Sequence, residues 1–412
     1  MAAEKLRTGR GSTMTSQAGI GVLSIFDMDN VGNRLQNYAL VEALRQEGHA
    51  PVVLENYPYA PGADPVSVSG HEDVGGTRAA RVREAVRFRL WRDVPPGVRV
   101  LPKVLRARLR RDDAAARAAT ARAERTRALT RFTRGRMVVS DGIYRRPEDL
   151  IGLDDQFDAF VVGSDQVWNP HYRRGCPMDL LHFASPHKRI AYAASIGADS
   201  FGEAEPVFRR LLPEMAAVSV RETAAADLVE QTCGRRPPVM PDPTLLHDAD
   251  FWRRLSEDAP PRSVRPYVAT YLLYRNGSDV VDAVQSRAAA EGLDRHDILH
   301  PSGPRAARHA GAEAFLRAIR DAEYVVTDSF HATLFSILFR VPVVVLPRDG
   351  GQNARIDTLL ALFGRTSADL PNEAHLRPSE PLVDDPEAVL EPVRNRARAW
   401  LTSALDTALG HR

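Results

Sequence analysis

The chain has 412 residues, of which 44% are hydrophobic and 26% charged, and its formal net charge is +2. This is the composition of a globular protein long enough for two domains. Its two cysteines, Cys176 and Cys233, form no CxxC pair, so neither a disulfide framework nor a zinc site is predicted. No apolar run is long enough for a membrane span, and the first residues lack an apolar signal segment, so we expect a cytoplasmic protein.

The first elements predict a βαβ unit. A strand at 19–25 is followed by a helix at about 34–47, which Gly48 ends, and by a strand at 51–55. Residues 1–18 are predicted to be a disordered tail. Further strands are predicted at 157–162, 189–195 and 216–220, with a helix at 222–232.

The second half repeats this alternation. Its predicted strands are 267–273, 296–299, 324–327 and 343–346, and its predicted helices are 279–291, 311–322 and 331–338. Strands that alternate with helices predict parallel sheets with right-handed crossovers. We therefore predict an α/β fold with two Rossmann-like domains facing a cleft, at 19–240 and 241–385, followed by a C-terminal helix at 386–412.

Positive charge is concentrated in one stretch. From Arg78 to Arg136 there are 19 Lys and Arg residues against 5 Asp and Glu residues. Such a stretch could contact an anionic membrane surface or nucleic acid phosphates. The alternative is a solvated helical insertion, which Val82, Val86 and Leu90 favour by their helical spacing. We predict a basic helical insertion at about 78–136 in the first domain, leave peripheral membrane contact open and expect no nucleic acid.

Two predicted strands end in clusters of polar side chains. Residues 161–170 read VVGSDQVWNP, and residues 325–335 read VVTDSFHATLF. Ligands bind beyond the carboxyl ends of strands in open α/β sheets. The two clusters therefore predict one site.

His331 is the first candidate for catalysis. It begins a helix directly after a strand, beside Asp328 and Ser329. A helix N-terminus disfavours imidazolium and a nearby carboxylate favours it, so a histidine there can supply a proton near neutral pH. The alternative is a polar residue of the first turn, with Ser329 or Asp328 as the N-cap.

Arg221 ends a predicted strand, where a guanidinium can hold a carboxylate or phosphate bidentately. The alternative is a surface ion pair with Glu222 or Asp227. Arg355 follows a later strand and is a second candidate for binding an anion.

The remaining candidates have polar side chains that suit sugars. Asn33 and Gln36, one turn apart, could address hydroxyls or phosphate, or could serve as a cap and a solvent-facing amide. Ser164, Asp165, Gln166 and Trp168 combine hydroxyl, carboxylate, amide and indole, the mixture that carbohydrate sites use. The alternative is that Trp168 anchors the core and Asp165 caps a helix. Neither a GxGxxG nor a P-loop motif is present, and no metal-ligand spacing is found at His171, His182, His187, His247 and His300.

Together with GNRLQNY at 32–38 and VSVRE at 218–222, the two strand-end clusters resemble the polysaccharide pyruvyl transferase family over roughly residues 20–365. The resemblance implies a GT-B-like pair of domains, His331 as general acid/base and Arg221 in the donor site. It also implies phosphoenolpyruvate as donor and a saccharide acceptor, free or lipid-linked, with Asp165 orienting that acceptor or accepting its proton. Some members carry an Arg two residues before the His, where this chain has Ser329. No cofactor or metal is expected.

Two rival functions stay open. A nucleotide-sugar glycosyltransferase would use the same two-domain cleft. A non-catalytic saccharide- or membrane-binding protein would make the basic stretch its functional part.

Overall fold

The computed structural model describes residues 17–58, 113–261, 263, 265–273, 278–301, 306–346, 354–366 and 380–410. The predicted tail, apart from Gln17 and Ala18, lies outside the described residues. So does the basic stretch before residue 113.

The first sheet has six parallel strands: β1 Gly19–Leu23, β2 Ala50–Asn56, β3 Val139–Tyr144, β4 Ala159–Val162, β5 Arg189–Ala194 and β6 Ala217–Val220. Their order is β3-β2-β1-β4-β5-β6. The chain therefore builds outward from β1 in one direction and from β4 in the other, which creates a switch point between these two strands. Every residue of β4 and β5 is buried, as expected of parallel strands that are covered on both faces.

The helices that precede the second sheet in the chain are α1 Val31–Gln46, α2 Asp113–Arg136, α3 Pro170–Arg173, α4 Glu205–Leu211, α5 Thr223–Cys233 and α6 Ala249–Glu257. Helix α1 begins at Val31, earlier than predicted, because Asn30 caps it by accepting the backbone N–H of Asn33 at 3.1 Å. Short 3-10 turns connect the elements at Pro147–Leu150, Asp154–Gln156, Pro177–Leu180, Pro186–Lys188, Gly202–Ala204, Leu212–Glu214 and Pro243–Leu246.

The second sheet has four parallel strands: β7 Tyr267–Tyr271, β8 Asp294–Asp297, β9 Tyr324–Thr327 and β10 Val343–Val345, in the order β10-β9-β7-β8. Its helices are α7 Ser278–Ala290, α8 Ala312–Arg320, α9 Phe330–Phe339 and α10 Ala354–Leu362, with a 3-10 turn at Ala306–His309. Two parallel sheets with helices between their strands confirm the predicted α/β fold.

The C-terminal helix α11, Pro386–Leu409, packs on the first sheet. Its Leu401 and Leu405 share a buried cluster with Leu40 and Ile190. Across the described residues, no helix is long and apolar enough to cross a membrane.

Helix α2 is the described part of the basic stretch, and five of its arginines pair with acidic side chains: Arg122, Arg125, Arg127, Arg134 and Arg136. Arg122 Nε lies 2.6 Å from a carboxylate oxygen of Asp29, and Arg125 Nη2 lies 2.7 Å from the other. Arg125 Nη1 also donates to the carbonyl of Leu299, beyond β8, at 2.7 Å. The helix therefore ties the loop before α1 to the second sheet.

Strand β3, which follows α2, was not predicted. Its Asp141 and Gly142 are typical of a turn, and the strand lies at the edge of the sheet with little burial. Pairing with β2 decides its conformation more than its own sequence does.

Candidate active site

Asp165 lies in the turn after β4. Its backbone φ is 58°, in the left-handed region that few residue types other than glycine, Asn and Asp adopt. Asn33 Nδ2, from the first turn of α1, donates to Asp165 Oδ2 at 2.9 Å. The carboxylate is therefore held at the switch point of the first sheet.

Arg221 follows β6, and its side chain is only 2% exposed. Nη1 donates to Asp242 Oδ2 at 2.6 Å, Nη2 lies 3.6 Å from Asp165 Oδ1, and Nε lies 3.9 Å from Glu222 Oε2. Burial lowers the pKa of this guanidinium, but the three carboxylates outweigh burial and raise it. Although buried, Nε and Nη2 have no hydrogen-bond partner among the described residues.

His331 is the second residue of α9 and comes from the second sheet. Its Nε2 lies 3.6 Å from Asp242 Oδ2 and is buried, with no hydrogen-bond partner among the described residues. The backbone of Gly32 packs against the imidazole ring of His331. The guanidinium of Arg221 lies over the neighbouring Phe330 ring, 5.0 Å from its centroid.

The groups around Asp165 shift the pKa of its carboxyl, which shows that they lie close to it. Burial raises the pKa of its carboxyl, but Arg221, then His331, the hydrogen bond from Asn33 and finally Arg355 outweigh burial and lower it. Asp165 is therefore ionised near neutral pH. It can accept a hydrogen bond, but it is a weak base.

Arg355, at the start of α10, completes the cluster. In the amide orientation that satisfies both side chains, the Gln166 oxygen accepts from Arg355 Nη2 at 2.6 Å and from Nη1 at 2.7 Å. The structure thus brings together five predicted site residues: Asp165, Gln166, Arg221, His331 and Arg355. Over the described ranges, no group of three or more His, Cys, Asp or Glu side chains is arranged to hold a metal ion.

Trp168 does not line this cluster, contrary to the prediction that it binds a sugar. It is 1% exposed, packs edge-on against Phe208 and donates from Nε1 to the carbonyl of Asp179 at 2.9 Å. Its indole has no free face on which a sugar could stack, because it anchors the core.

Gln36 and Ser164 are also scaffold residues rather than ligand contacts. Gln36 Nε2 donates to Ser24 Oγ at 2.8 Å, and its oxygen accepts from Ser164 N at 3.1 Å. Ser164 Oγ donates to the carbonyl of Ala193 at 2.7 Å. Both side chains are fully buried, so they join α1 to the turn that carries Asp165.

Three further predicted site residues are buried, and the side chains of Asp328 and Asn33 hold backbone or a neighbouring side chain. Asp328 is fully buried and accepts the backbone N–H of Leu273 at 2.8 Å, which fixes the end of β7. Asn33 is fully buried and positions Asp165. Ser329 is the N-cap residue of α9, and its backbone N–H donates to Thr327 Oγ1 at 3.0 Å.

Asp242, which the sequence analysis did not single out, lies at the centre of the cluster. Its Oδ1 accepts from Thr244 N at 3.0 Å and from Thr244 Oγ1 at 2.7 Å, and its Oδ2 faces Arg221 and His331. Burial raises its pKa, but His331 and Arg221 outweigh burial and hold it far below its usual range. The available signal was a carboxylate between Pro241 and Pro243 in an otherwise apolar stretch.

Glu222 was likewise considered only as an ion-pair partner of Arg221. Its Oε1 accepts from Ser195 Oγ at 3.0 Å, Ile196 N at 2.8 Å and Gly197 N at 3.1 Å. It therefore fixes the loop after β5 next to the guanidinium.

A family model described as polysaccharide pyruvyl transferase matches residues 30–350. This range contains Asp165, Arg221, Asp242 and His331, whereas Arg355 lies just beyond it. No curated protein sequence matches the chain significantly.

Three solved structures are similar to the chain at low identity. Arabidopsis thaliana UGT89C1 complexed with UDP-L-rhamnose is 11% identical, with 96% of this chain and 100% of that chain covered and a TM-score of 0.45. UDP-GlcNAc 2-epimerase from Neisseria meningitidis bound to UDP-GlcNAc is 8% identical, with 94% and 99% covered and a TM-score of 0.44. The glycosyltransferase SnogD from Streptomyces nogalater is 14% identical, with 96% and 98% covered and a TM-score of 0.33. With TM-scores this low, the three similarities carry no argument about function.

Proposed function

The chain belongs to the polysaccharide pyruvyl transferase family, and on that premise we propose that it transfers the enolpyruvyl unit of phosphoenolpyruvate to saccharide hydroxyls and closes a pyruvate ketal. The proposed acceptor is a precursor of a cell-envelope polysaccharide or exopolysaccharide, free or lipid-linked. The observation that carries the proposal is the meeting of His331, from the second sheet, with Arg221 and Asp165 from the first.

The proposed donor is an anion with a carboxylate and a phosphate. Arg221 and Arg355 supply two guanidinium groups beside the centre. Nε and Nη2 of Arg221 are buried and have no hydrogen-bond partner among the described residues, although carboxylates lie 3.6–3.9 Å away. Such unpaired donors cost about 1–3 kcal/mol each, which anionic oxygens would recover. This supports an anionic ligand at Arg221.

In the proposed reaction the His331 imidazolium donates a proton to the methylene carbon of the enol. The electron pair of the double bond forms the new C–H bond and leaves an oxocarbenium-like centre, which a sugar hydroxyl attacks. The hydroxyl proton returns to the imidazole, which then protonates the phosphate oxygen as the bond from the central carbon to that oxygen breaks. A second hydroxyl attacks the same carbon and returns its proton to the imidazole, so the products are the ketal and hydrogen phosphate.

We assign Asp165 to orienting the acceptor. Its lowered pKa makes the carboxylate a good hydrogen-bond acceptor for a hydroxyl and a poor base. Positioning and electrostatic stabilisation are sufficient for this chemistry, which does not require a metal ion or cofactor.

The proposal is tested first by donor binding, which can be measured before the acceptor is known. Calorimetry compares phosphoenolpyruvate with a panel of nucleotide sugars, and we expect saturable binding of phosphoenolpyruvate alone. Binding of a nucleotide sugar alone would indicate a glycosyltransferase. Labelled phosphoenolpyruvate and a panel of saccharide diols then test transfer through phosphate release and label in the saccharide.

A lipid-linked acceptor would bring the enzyme to the cytoplasmic face of a membrane. Arginines of α2 that pair with Asp29, Glu55 and Asp258 already have an acidic partner in the protein, which competes with lipid for their charge. We therefore propose that such contact would fall to residues 78–112, outside the described ranges. Sedimentation with anionic vesicles should show binding that salt weakens, because the Debye length shrinks to about 3 Å at 1 M. Equal binding to neutral vesicles would contradict this.

A further inference from the structure

One carboxylate oxygen of Asp242 lies next to both Arg221, the proposed donor-binding residue, and His331, the proposed proton donor. Asp242 stands in the segment between the two sheets and is fully buried. Its Oδ2 accepts from Arg221 Nη1 at 2.6 Å and lies 3.6 Å from His331 Nε2. Its Oδ1 is held by the backbone N–H and the hydroxyl of Thr244. These contacts on both oxygens restrict rotation of the carboxylate.

We propose that Asp242 is a positioning residue, whose fixed carboxylate sets the Arg221 guanidinium and the His331 imidazole relative to each other and keeps His331 ready to deliver a proton. The expected effect of this positioning on turnover rests on the proposed function. Arg221 follows a strand of the first sheet and His331 follows a strand of the second. The Asp242 carboxylate contacts both side chains and therefore fixes their relative position.

Capping alone does not account for the charge of Asp242. It caps the 3-10 turn Pro243–Leu246, and an asparagine oxygen could accept the same two hydrogen bonds from Thr244. A buried carboxylate is costly unless it is paired. The negative charge of Asp242 is therefore explained by its contacts with Arg221 and His331 and not by its role as a cap.

Among the described residues, the carboxylates of Asp242 and Asp165 interact with His331, and Arg221 pairs with both carboxylates. Asp242→Asn removes a negative charge and leaves the other two in place. The variant should therefore change the electrostatic environment of the His331 ring and loosen its position.

The first test follows the His331 ring by nitrogen-15 NMR in histidine-labelled protein, with His331→Gln to assign its signals. We expect the ring-nitrogen signals of His331 to shift in Asp242→Asn, because the carboxylate that lies 3.6 Å from Nε2 loses its charge. Asp248→Asn is the matched control, because Asp248 caps α6 through Phe251 N at 2.7 Å but is exposed. Unchanged His331 ring-nitrogen signals in Asp242→Asn would overturn the proposal, whether or not the protein uses phosphoenolpyruvate.

The second test is kinetic. Asp242→Asn should lower kcat at least about tenfold, as expected for impaired general acid catalysis, with a smaller change in KM for the donor. Wild-type kcat in this variant would overturn the positioning role, whereas inactivity of the wild type with phosphoenolpyruvate would overturn the proposed function instead. If thermal unfolding shows that Asp242→Asn does not fold, Asp242→Glu replaces it, since it keeps the charge but moves it by one methylene. We then expect reduced kcat, and wild-type kcat would overturn the proposal.

Discussion

Gly32, in the first turn of α1, lies against the imidazole of His331. A β-carbon on Gly32 would be 2.2 Å from His331 Nδ1, far inside van der Waals contact. The histidine lies in α9, which follows a strand of the second sheet, and the glycine lies in α1, which follows a strand of the first. The absence of a side chain at position 32 therefore allows the two halves to meet at the candidate active site.

Gly32→Ala should displace His331 and lower turnover about tenfold or more, because small errors in the placement of a reacting group are costly. Pre-steady-state and steady-state rates measure this effect. Gly135→Ala is the matched control, since Gly135 also lies in a helix but has nothing within 4 Å of a β-carbon. The control should keep full activity and gain at most about 1 kcal/mol of stability from helix propensity. Equal activity in both variants would show that the Gly32 contact is not required.

His331→Gln should lower turnover by about 10²–10⁴-fold, the usual contribution of a general acid. Glutamine is chosen because it preserves polarity in a nearly buried position. The exposed His187→Gln is the control and should retain the wild-type rate. A His331→Gln rate above about a tenth of wild type would remove this residue from the mechanism, since general acid catalysis is worth more than that.

Arg221→Lys should weaken donor binding about tenfold, because an ammonium cannot form the bidentate contact of a guanidinium. Calorimetry with phosphoenolpyruvate measures it. Arg236→Lys is the control, since Arg236 is about half exposed and pairs with Asp227 and Glu230 at the surface. If Arg221→Lys binds the donor as wild type does, Arg221 is a structural partner of Asp242.

Arg125→Ala should lower the free energy of unfolding by about 2 kcal/mol, because it breaks a largely buried ion pair and a hydrogen bond. The lost contacts are those with Asp29 and with the carbonyl of Leu299. Arg127→Ala is the control on the same helix. Arg127 is largely exposed and pairs only with Glu124 among the described residues, so its loss should cost about 0.5 kcal/mol or less. Similar denaturation midpoints for the two variants would show that α2 does not tie the sheets.

His247 should make stability depend on pH. Burial lowers its pKa from 6.5 to about 4, against the opposing hydrogen bond to the carbonyl of Ala39. Between these two values the unfolded chain binds more protons, so the free energy of unfolding falls as pH falls, by at most about 3 kcal/mol. Denaturation from pH 7 to 4 should be less pH-dependent in His247→Gln than in wild type. The exposed His187→Gln should behave as wild type, and identical slopes in all three proteins would contradict the prediction.

The sequence by itself determined the fold class and the location of the centre. Apolar runs that end in polar turns reveal parallel strands, since burial on both faces requires continuous apolar side chains. Asp165, Arg221 and His331 were found for the same reason, because each directly follows such a strand. These are local properties of the chain.

Only the tertiary structure decided which polar side chains face that centre. Trp168 and Gln36 lie in polar motifs, yet packing against distant elements turns both into the scaffold. Asp242 lies outside the polar motifs, yet its side chain is at the centre of the site. Its burial depends on Arg221, 21 residues away, and on His331, in the helix after a strand of the second sheet. A charge can be buried only where other elements supply partners that offset its desolvation. A local sequence pattern does not contain those partners.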